Sequence, residues 1–324
     1  MTGLAVVAPP EAKARSSREV YRDVLVELLP VDERLVCLDT DTGLFSGIDF
    51  GEAADRYVNL GIAEHTLMTA AAGLAKSGRV PFANTMAAFA SSRAVEAVKI
   101  DIAYNDLPVR IAATHSGVSA GHLGPTHHAL EDLAVMRALP NMTVVVPSDA
   151  ASTDTLVRQA MALPGPVYLR LGRNATPDMP DGPPVRLGQA QVLRQGADIT
   201  IAACGPYPVL AAFEAADVLA DRGIEATVLH VHTVKPLDVA TLAAAADVTG
   251  TVITVEEHWR AGGFGSAVAE ALTELMPVRV HRMGLPDQFV GVAGSQRSLI
   301  ERAGITASAI VAQATRTRRE AGHD

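Results

Sequence analysis

Apolar and polar positions alternate along the chain in two rhythms, short strand-length runs and longer helical stretches. Ser16-Ser17-Arg18-Glu19 has the spacing of a helix capping box, and Val20, Val24 and Leu28 then recur on one face until Pro30. That pattern predicts an amphipathic helix with a defined start and stop. Strand-like runs follow at 34–38, 57–60, 80–83, 109–114, 143–146 and 167–171. Ala-rich, helix-length segments at 63–76, 86–105 and 149–162 separate most of them. This alternation predicts parallel strands covered by helices.

From Asn174 to Pro184, four prolines in eleven residues break both rhythms and mark a boundary. The pattern resumes with strands near 199–204, 226–231, 251–256 and 278–283 and helices near 207–222, 237–246, 265–275 and 296–303. The expected organisation is a loose tail over 1–15, a first domain over 16–175, a linker over 176–184 and a second, smaller domain over 185–324. Both domains are expected to be doubly wound α/β units.

Composition narrows the function classes. With 48% hydrophobic but only 4% aromatic residues, the chain reads as helices on parallel strands rather than an all-β sandwich. A net charge of −9 with scattered Lys and Arg gives no phosphate-tracking stripe, which argues against a nucleic-acid partner. The longest stretch without a formal charge, 111–130, holds three Gly and four of the ten His, so it is no membrane span. The N-terminus has no basic n-region and too short an apolar run for a signal peptide, and Cys37 and Cys204 lie in apolar runs suited to buried thiols. A cytoplasmic protein is the expectation.

Candidate chemistry concentrates in the first domain. Glu64, in Asn59-Leu-Gly-Ile-Ala-Glu-His65, falls where a strand gives way to a helix, and strand ends in open α/β sheets face the ligand crevice. Phe89 opens the next helical segment and could offer its face to a flat heteroaromatic ring. The run from Ala113 to His128 is too polar for a core and too glycine-rich for a helix, which suits a loop lining a site. Its histidines 115, 122, 127 and 128 come with no Cys and no His-x-x-x-His helix, so zinc is disfavoured and no metal site is expected on this chain.

Four runs in this order and spacing carry a family likeness: Asn59 to His65, Phe82-Ala-Asn-Thr-Met-Ala-Ala-Phe89, Gly124-Pro-Thr-His-His-Ala-Leu-Glu-Asp-Leu-Ala134 and Arg137-Ala-Leu-Pro-Asn-Met142. The chain resembles, from about Arg18 to its end, the C-terminal half of a transketolase, in the form where the two halves are separate subunits. Glu256-Glu-His258 and Gly262-Gly-Phe-Gly-Ser266 match the usual marks of the family's C-terminal domain. The resemblance implies a pyrimidine-binding domain followed by that C-terminal domain, thiamine diphosphate as cofactor, and transfer of a two-carbon ketol unit from a ketose to an aldehyde. It further implies that Mg2+ and the diphosphate are held by an N-terminal partner subunit, in an α2β2 heterotetramer. The Gly-Asp-Gly followed about thirty residues on by Asn, which would hold them, is absent from this sequence.

By the same resemblance Glu64 matches the acid that hydrogen-bonds the aminopyrimidine, Phe89 a pyrimidine-stacking aromatic and Asp41 an acid near the thiazolium. His127 matches a catalytic histidine that hydrogen-bonds the donor ketose and the dihydroxyethyl intermediate. Arg18, His115 and Arg173 match positions that grip the sugar phosphate. Two departures are expected to matter. Met86 stands where the family has a second stacking aromatic, and His122-Leu123 stands where it has Glu-Asp, the Asp being the residue that reads a hydroxyl of the sugar acceptor. A non-standard acceptor is therefore expected. The rival readings are the β-subunit of a 2-oxo acid dehydrogenase, which the Gly-Pro-Thr-His-His loop disfavours, the C-terminal part of deoxyxylulose-phosphate synthase, normally a single longer chain, and a non-catalytic assembly subunit.

Overall fold

A computed structural model describes residues 14–320, in two large sheets with helices packed on their faces and one two-stranded pair. Most of the expected tail lies outside the described residues, but Arg15 and Ser16 form a short strand paired antiparallel with Ala175–Thr176. The capping box is present: Ser16 Oγ accepts from Glu19 N at 3.4 Å and the Glu19 carboxylate accepts from Ser16 N at 3.3 Å. Such a cap contributes about 1 kcal/mol. The helix Ser17–Leu28 then buries Val20, Tyr21, Val24 and Leu25 against the helix Ala150–Met161. Each of those apolar side chains is worth about 1.5–3 kcal/mol of burial, so Val24→Asp would open this face.

The larger sheet has seven strands in the order Thr233–Lys235, Thr143–Val145, Val167–Arg170, Arg110–Thr114, Val80–Met86, Leu35–Asp39 and Tyr57–Asn59. All neighbours are parallel except the first pair. Thr233–Lys235 lies beyond the proline-rich boundary in sequence, so the second half of the chain lends an edge strand to the first sheet. Lys235 reinforces that join by donating to the carbonyls of Arg137, at 3.0 Å, and Leu139.

The second sheet has five strands in the order Arg279–Leu285, Thr251–Trp259, Ile199–Cys204, Ala226–His230 and Gln191–Arg194, again parallel apart from its last pair. Its central strands are buried on both faces, as βα crossovers require. Cys37 and Cys204 are free and buried.

The expected continuous helix over 86–105 is broken. Ala87–Ala90 makes one turn, and Val95–Ala97 runs into a wider π-turn over Val98–Ala103. The break has a local cause: Ser91 and Ser92 turn their hydroxyls back onto the carbonyls of Ala87 (2.9 Å) and Ala88 (2.5 Å), competing with the helical ladder.

In the larger sheet the chain steps outward from Leu35–Asp39 to Tyr57–Asn59, then returns across to Val80–Met86 on the other side. This reversal places a crevice beyond the carboxyl ends of Leu35–Asp39 and Val80–Met86.

Candidate active site

The crevice holds a pocket of about 300 Å³ lined by residues that leave neighbouring parallel strands. Thr40, Asp41 and Thr42 follow one strand, Ile62 and Glu64 follow the edge strand, Thr85 and Met86 end the third, and Phe89 lies in the helical turn after it. His127 reaches in from the glycine-rich loop. Glu64 is the first residue of the helix Glu64–Lys76 and is only 5% exposed. Its carboxylate has Arg93 as ion-pair partner, with Nη1 3.5 Å from Oε1. The Arg93 guanidinium also lies 4.4 Å over the Phe89 ring, and His127 meets the same ring edge-on with centroids 5.4 Å apart.

Asp41 and His115 hold backbone φ near +59° and +58°, the left-handed region that non-glycine residues rarely occupy. Asp41 is fixed there partly by Asn59, whose amide donates to it at 3.3 Å. Left-handed conformations at both residues are the kind of local strain that accumulates at functional sites.

A basic cluster adjoins the pocket. Arg18 enters from the first helix with Nη1 3.4 Å from His115 Nε2, and Arg173 is close enough for its charge to lower the pKa of both. His115 is buried and its pKa is lowered to about 3, chiefly by desolvation and then by Arg18 and Arg173, with His122 and His127 adding to it. The ring is therefore neutral near pH 7. Its hydrogen bonds select a tautomer: Arg18 donates to Nε2, so Nδ1–H donates to Thr114 Oγ1 at 2.9 Å, and that hydroxyl donates to the Thr85 carbonyl at 3.3 Å. Burial and the nearby Arg173 also lower the Arg18 pKa, and its buried Nε has no partner.

The glycine-rich loop is ordered by two short 3-10 turns, Gly121–Leu123 and Pro125–His127. His122 and Leu123 are exposed on the first, Leu123 at 43%. The structure thus brings Glu64, Phe89, Met86, Asp41 and His127 around one pocket and gathers Arg18, His115 and Arg173 beside it. His122 and Leu123 are exposed on the loop and do not line the pocket. Arg93 was not among the residues expected from sequence. Arg93 lies in the turn between Ala87–Ala90 and Val95–Ala97, where no helical periodicity could have pointed to it.

With that geometry in hand, similarity to known proteins becomes informative. The transketolase pyrimidine-binding domain family matches residues 13–179 and the transketolase C-terminal domain family matches residues 188–310. The chain belongs to the transketolase family. Among its relatives, an apulose-4-phosphate transketolase subunit of Phocaeicola vulgatus is 41% identical over 292 residues, covering 89% of this chain and 93% of the relative. A 6-deoxy-6-sulfo-D-fructose transketolase subunit from a Clostridium species is 40% identical over 297 residues, covering 91% and 92%. A solved split-gene transketolase, an inactive beta4 tetramer, superposes with a TM-score of 0.83 at 42% identity over 94% of this chain and 98% of that one.

Proposed function

We propose that this chain is the C-terminal subunit of a split, thiamine diphosphate-dependent transketolase that transfers a two-carbon ketol unit from an anionic ketose to an aldehyde. The observation that carries the proposal is the buried Glu64 carboxylate beside the Phe89 ring, in a pocket whose size suits one heteroaromatic ring. Thiamine diphosphate, when bound, would supply the nucleophilic carbon and the electron sink for carbon–carbon cleavage. Phe89, Met86 and Ile62 would give its pyrimidine an apolar wall, and Glu64 would offer a carboxyl to a ring nitrogen. Asp41 also lines the pocket.

His127 is placed to hold the donor's hydroxyls, because it lines the pocket and also contributes to the field at His115. Arg18, His115 and Arg173 form an anion grip for the far end of the sugar. The two relatives are named for a phosphate-bearing and a sulfo-bearing sugar, and a grip of two guanidinium groups and an imidazole accommodates either group.

Among the described residues no three His, Cys, Asp or Glu side chains converge as a metal site. Mg2+ and the diphosphate are assigned to an N-terminal partner subunit, with which the chain forms an α2β2 assembly. The direct test is ketol transfer by the mixed subunits with thiamine diphosphate and Mg2+. Turnover in the mixture supports the reading, and an inactive mixture of folded, associated subunits refutes it.

A further inference from the structure

The loop that carries His115, His122 and His127 is held from outside its own sheet. Val118 N donates to Glu257 Oε1 at 2.7 Å, and Gln296 Nε2 donates to Glu257 Oε1 and Oε2 at 3.1 and 2.9 Å. Gln296 Oε1 accepts from Asn174 Nδ2 at 2.9 Å, and the same amide donates to the Ser119 carbonyl at 3.1 Å. The result is a closed ring of hydrogen bonds through Val118, Glu257, Gln296, Asn174 and Ser119. Arg173 is the chain neighbour of Asn174, and its own N–H donates to Ser119 Oγ at 3.4 Å.

Three further observations show how tightly this ring is closed. A Cβ at Gly117 would lie 2.2 Å from Glu257 Oε1, so only glycine admits the carboxylate there. Gly294 N donates to the Gly121 carbonyl at 3.0 Å, one residue before His122. Glu257 is 4% exposed and its carboxylate oxygens face the loop, while Arg170 holds its backbone carbonyl at 3.0 Å.

We infer that Glu257, with Gln296, is a positioning residue of the C-terminal domain that fixes the substrate loop and Arg173 relative to one another, and so sets affinity for the anionic end of the sugar. Glu257 does not line the pocket. The inference rests on the proposed anion grip and deepens it: the C-terminal domain shapes a substrate subsite built from the other domain.

The ring can be reversed without changing its charge. In Glu257→Gln two amides face each other, and in Gln296→Glu two carboxylates do. In the double variant the amide at 257 donates to the carboxylate at 296 and still accepts from Val118 N. Kinetics of the assembled enzyme on a phosphorylated ketose, with inorganic phosphate as competing inhibitor, read the effect. Each single variant should raise KM and weaken phosphate inhibition roughly tenfold, as expected for a lost hydrogen bond to a charged group. Affinity for thiamine diphosphate and turnover of a non-phosphorylated ketose should stay within about twofold, and the double variant should recover most of the lost affinity. Loss of kcat on both sugars without rescue would reduce Glu257 to a structural prop. Unchanged KM in both single variants, with KM raised in Arg173→Ala, would overturn the inference alone. Unchanged KM in Arg173→Ala would overturn the anion grip itself.

Discussion

Arg93 faces the buried Glu64 across the mouth of the pocket, with Nη1 3.5 Å from Oε1. The pair is long and Arg93 is 56% exposed, so it belongs with surface ion pairs worth about 0.2–1 kcal/mol. Glu64 is asked for far more, since acid–base steps of this kind contribute roughly 10²–10⁴-fold in rate. Arg93→Ala should therefore cost no more than about fivefold in kcat, whereas Glu64→Gln should lose two or more orders of magnitude with assembly intact. Steady-state rates of the two variants decide it, and near-normal turnover in Glu64→Gln would assign cofactor activation to another group.

The neutral state of His115 makes a second expectation. Its pKa near 3 follows from burial and from the charges of Arg18 and Arg173. An arriving dianion offsets those charges and favours a proton on Nε2, so binding a phosphorylated sugar should take up protons. Uptake should grow as pH falls from about 7.5 to 6, toward the ordinary histidine value. Calorimetry in two buffers of different ionisation enthalpy measures it. Proton release, or no exchange at any pH in that range, contradicts protonation of His115 on binding.

Stability should respond to acid through the histidines at the domain junction. His230 is fully buried between Ser148 Oγ and Gln191 Oε1, each at 2.7 Å, and desolvation lowers its pKa to about 3. A folded pKa below the unfolded value means that the unfolded chain binds the extra proton. The stabilising difference is thus complete above about pH 6.5 and is lost toward pH 3, at up to about 1.4 kcal/mol per pH unit. Glu256, raised to about 7 by burial, acts in the opposite sense between its ordinary range and pH 7. The comparison that isolates the histidine is His230→Gln, which should flatten the fall of Tm between pH 6.5 and 4. An unchanged slope would mean that His230 does not contribute.

Leu123, exposed on the glycine-rich loop, matches by the resemblance a position where an Asp would read a hydroxyl of the acceptor. At so exposed a position a hydrogen bond is worth about 0.5–1.5 kcal/mol, or roughly 2–13-fold. The acceptor is expected to lack that hydroxyl or to carry a branch there. Leu123→Asp should shift kcat/KM toward polyhydroxy aldehydes such as ribose 5-phosphate. A native preference for ribose 5-phosphate that the substitution does not increase would refute the specificity reading.

Much of this was legible in the chain because strand ends and motifs coincide. Glu64, Phe89, Asp41, His115 and Arg173 all follow predicted parallel strands, and the sheet carries those ends to one crevice. Elements that depend on distant partners were not legible. Thr233–Lys235 is a strand only because Thr143–Val145 offers it an edge, and the three-residue run has no period of its own. The helices Asp132–Ala138 and Ala307–Glu320 carry little local signal, the first being short and the second lying in a polar stretch. The break after Ala90 lay in two serines whose side chains prefer the preceding carbonyls to solvent. The bond from Glu257 to Val118 joins residues 139 apart in sequence, beyond any local pattern.

The central claim is that the reactive site is shared between two subunits. Equilibrium dialysis of thiamine diphosphate with Mg2+ against this chain alone, the N-terminal partner alone and their mixture tests it most directly, with turnover measured on the same samples. Tight binding and ketol transfer in the mixture, with weak binding and no turnover by this chain alone, are predicted. A cofactor-saturated and active preparation of this chain without its partner would contradict the account.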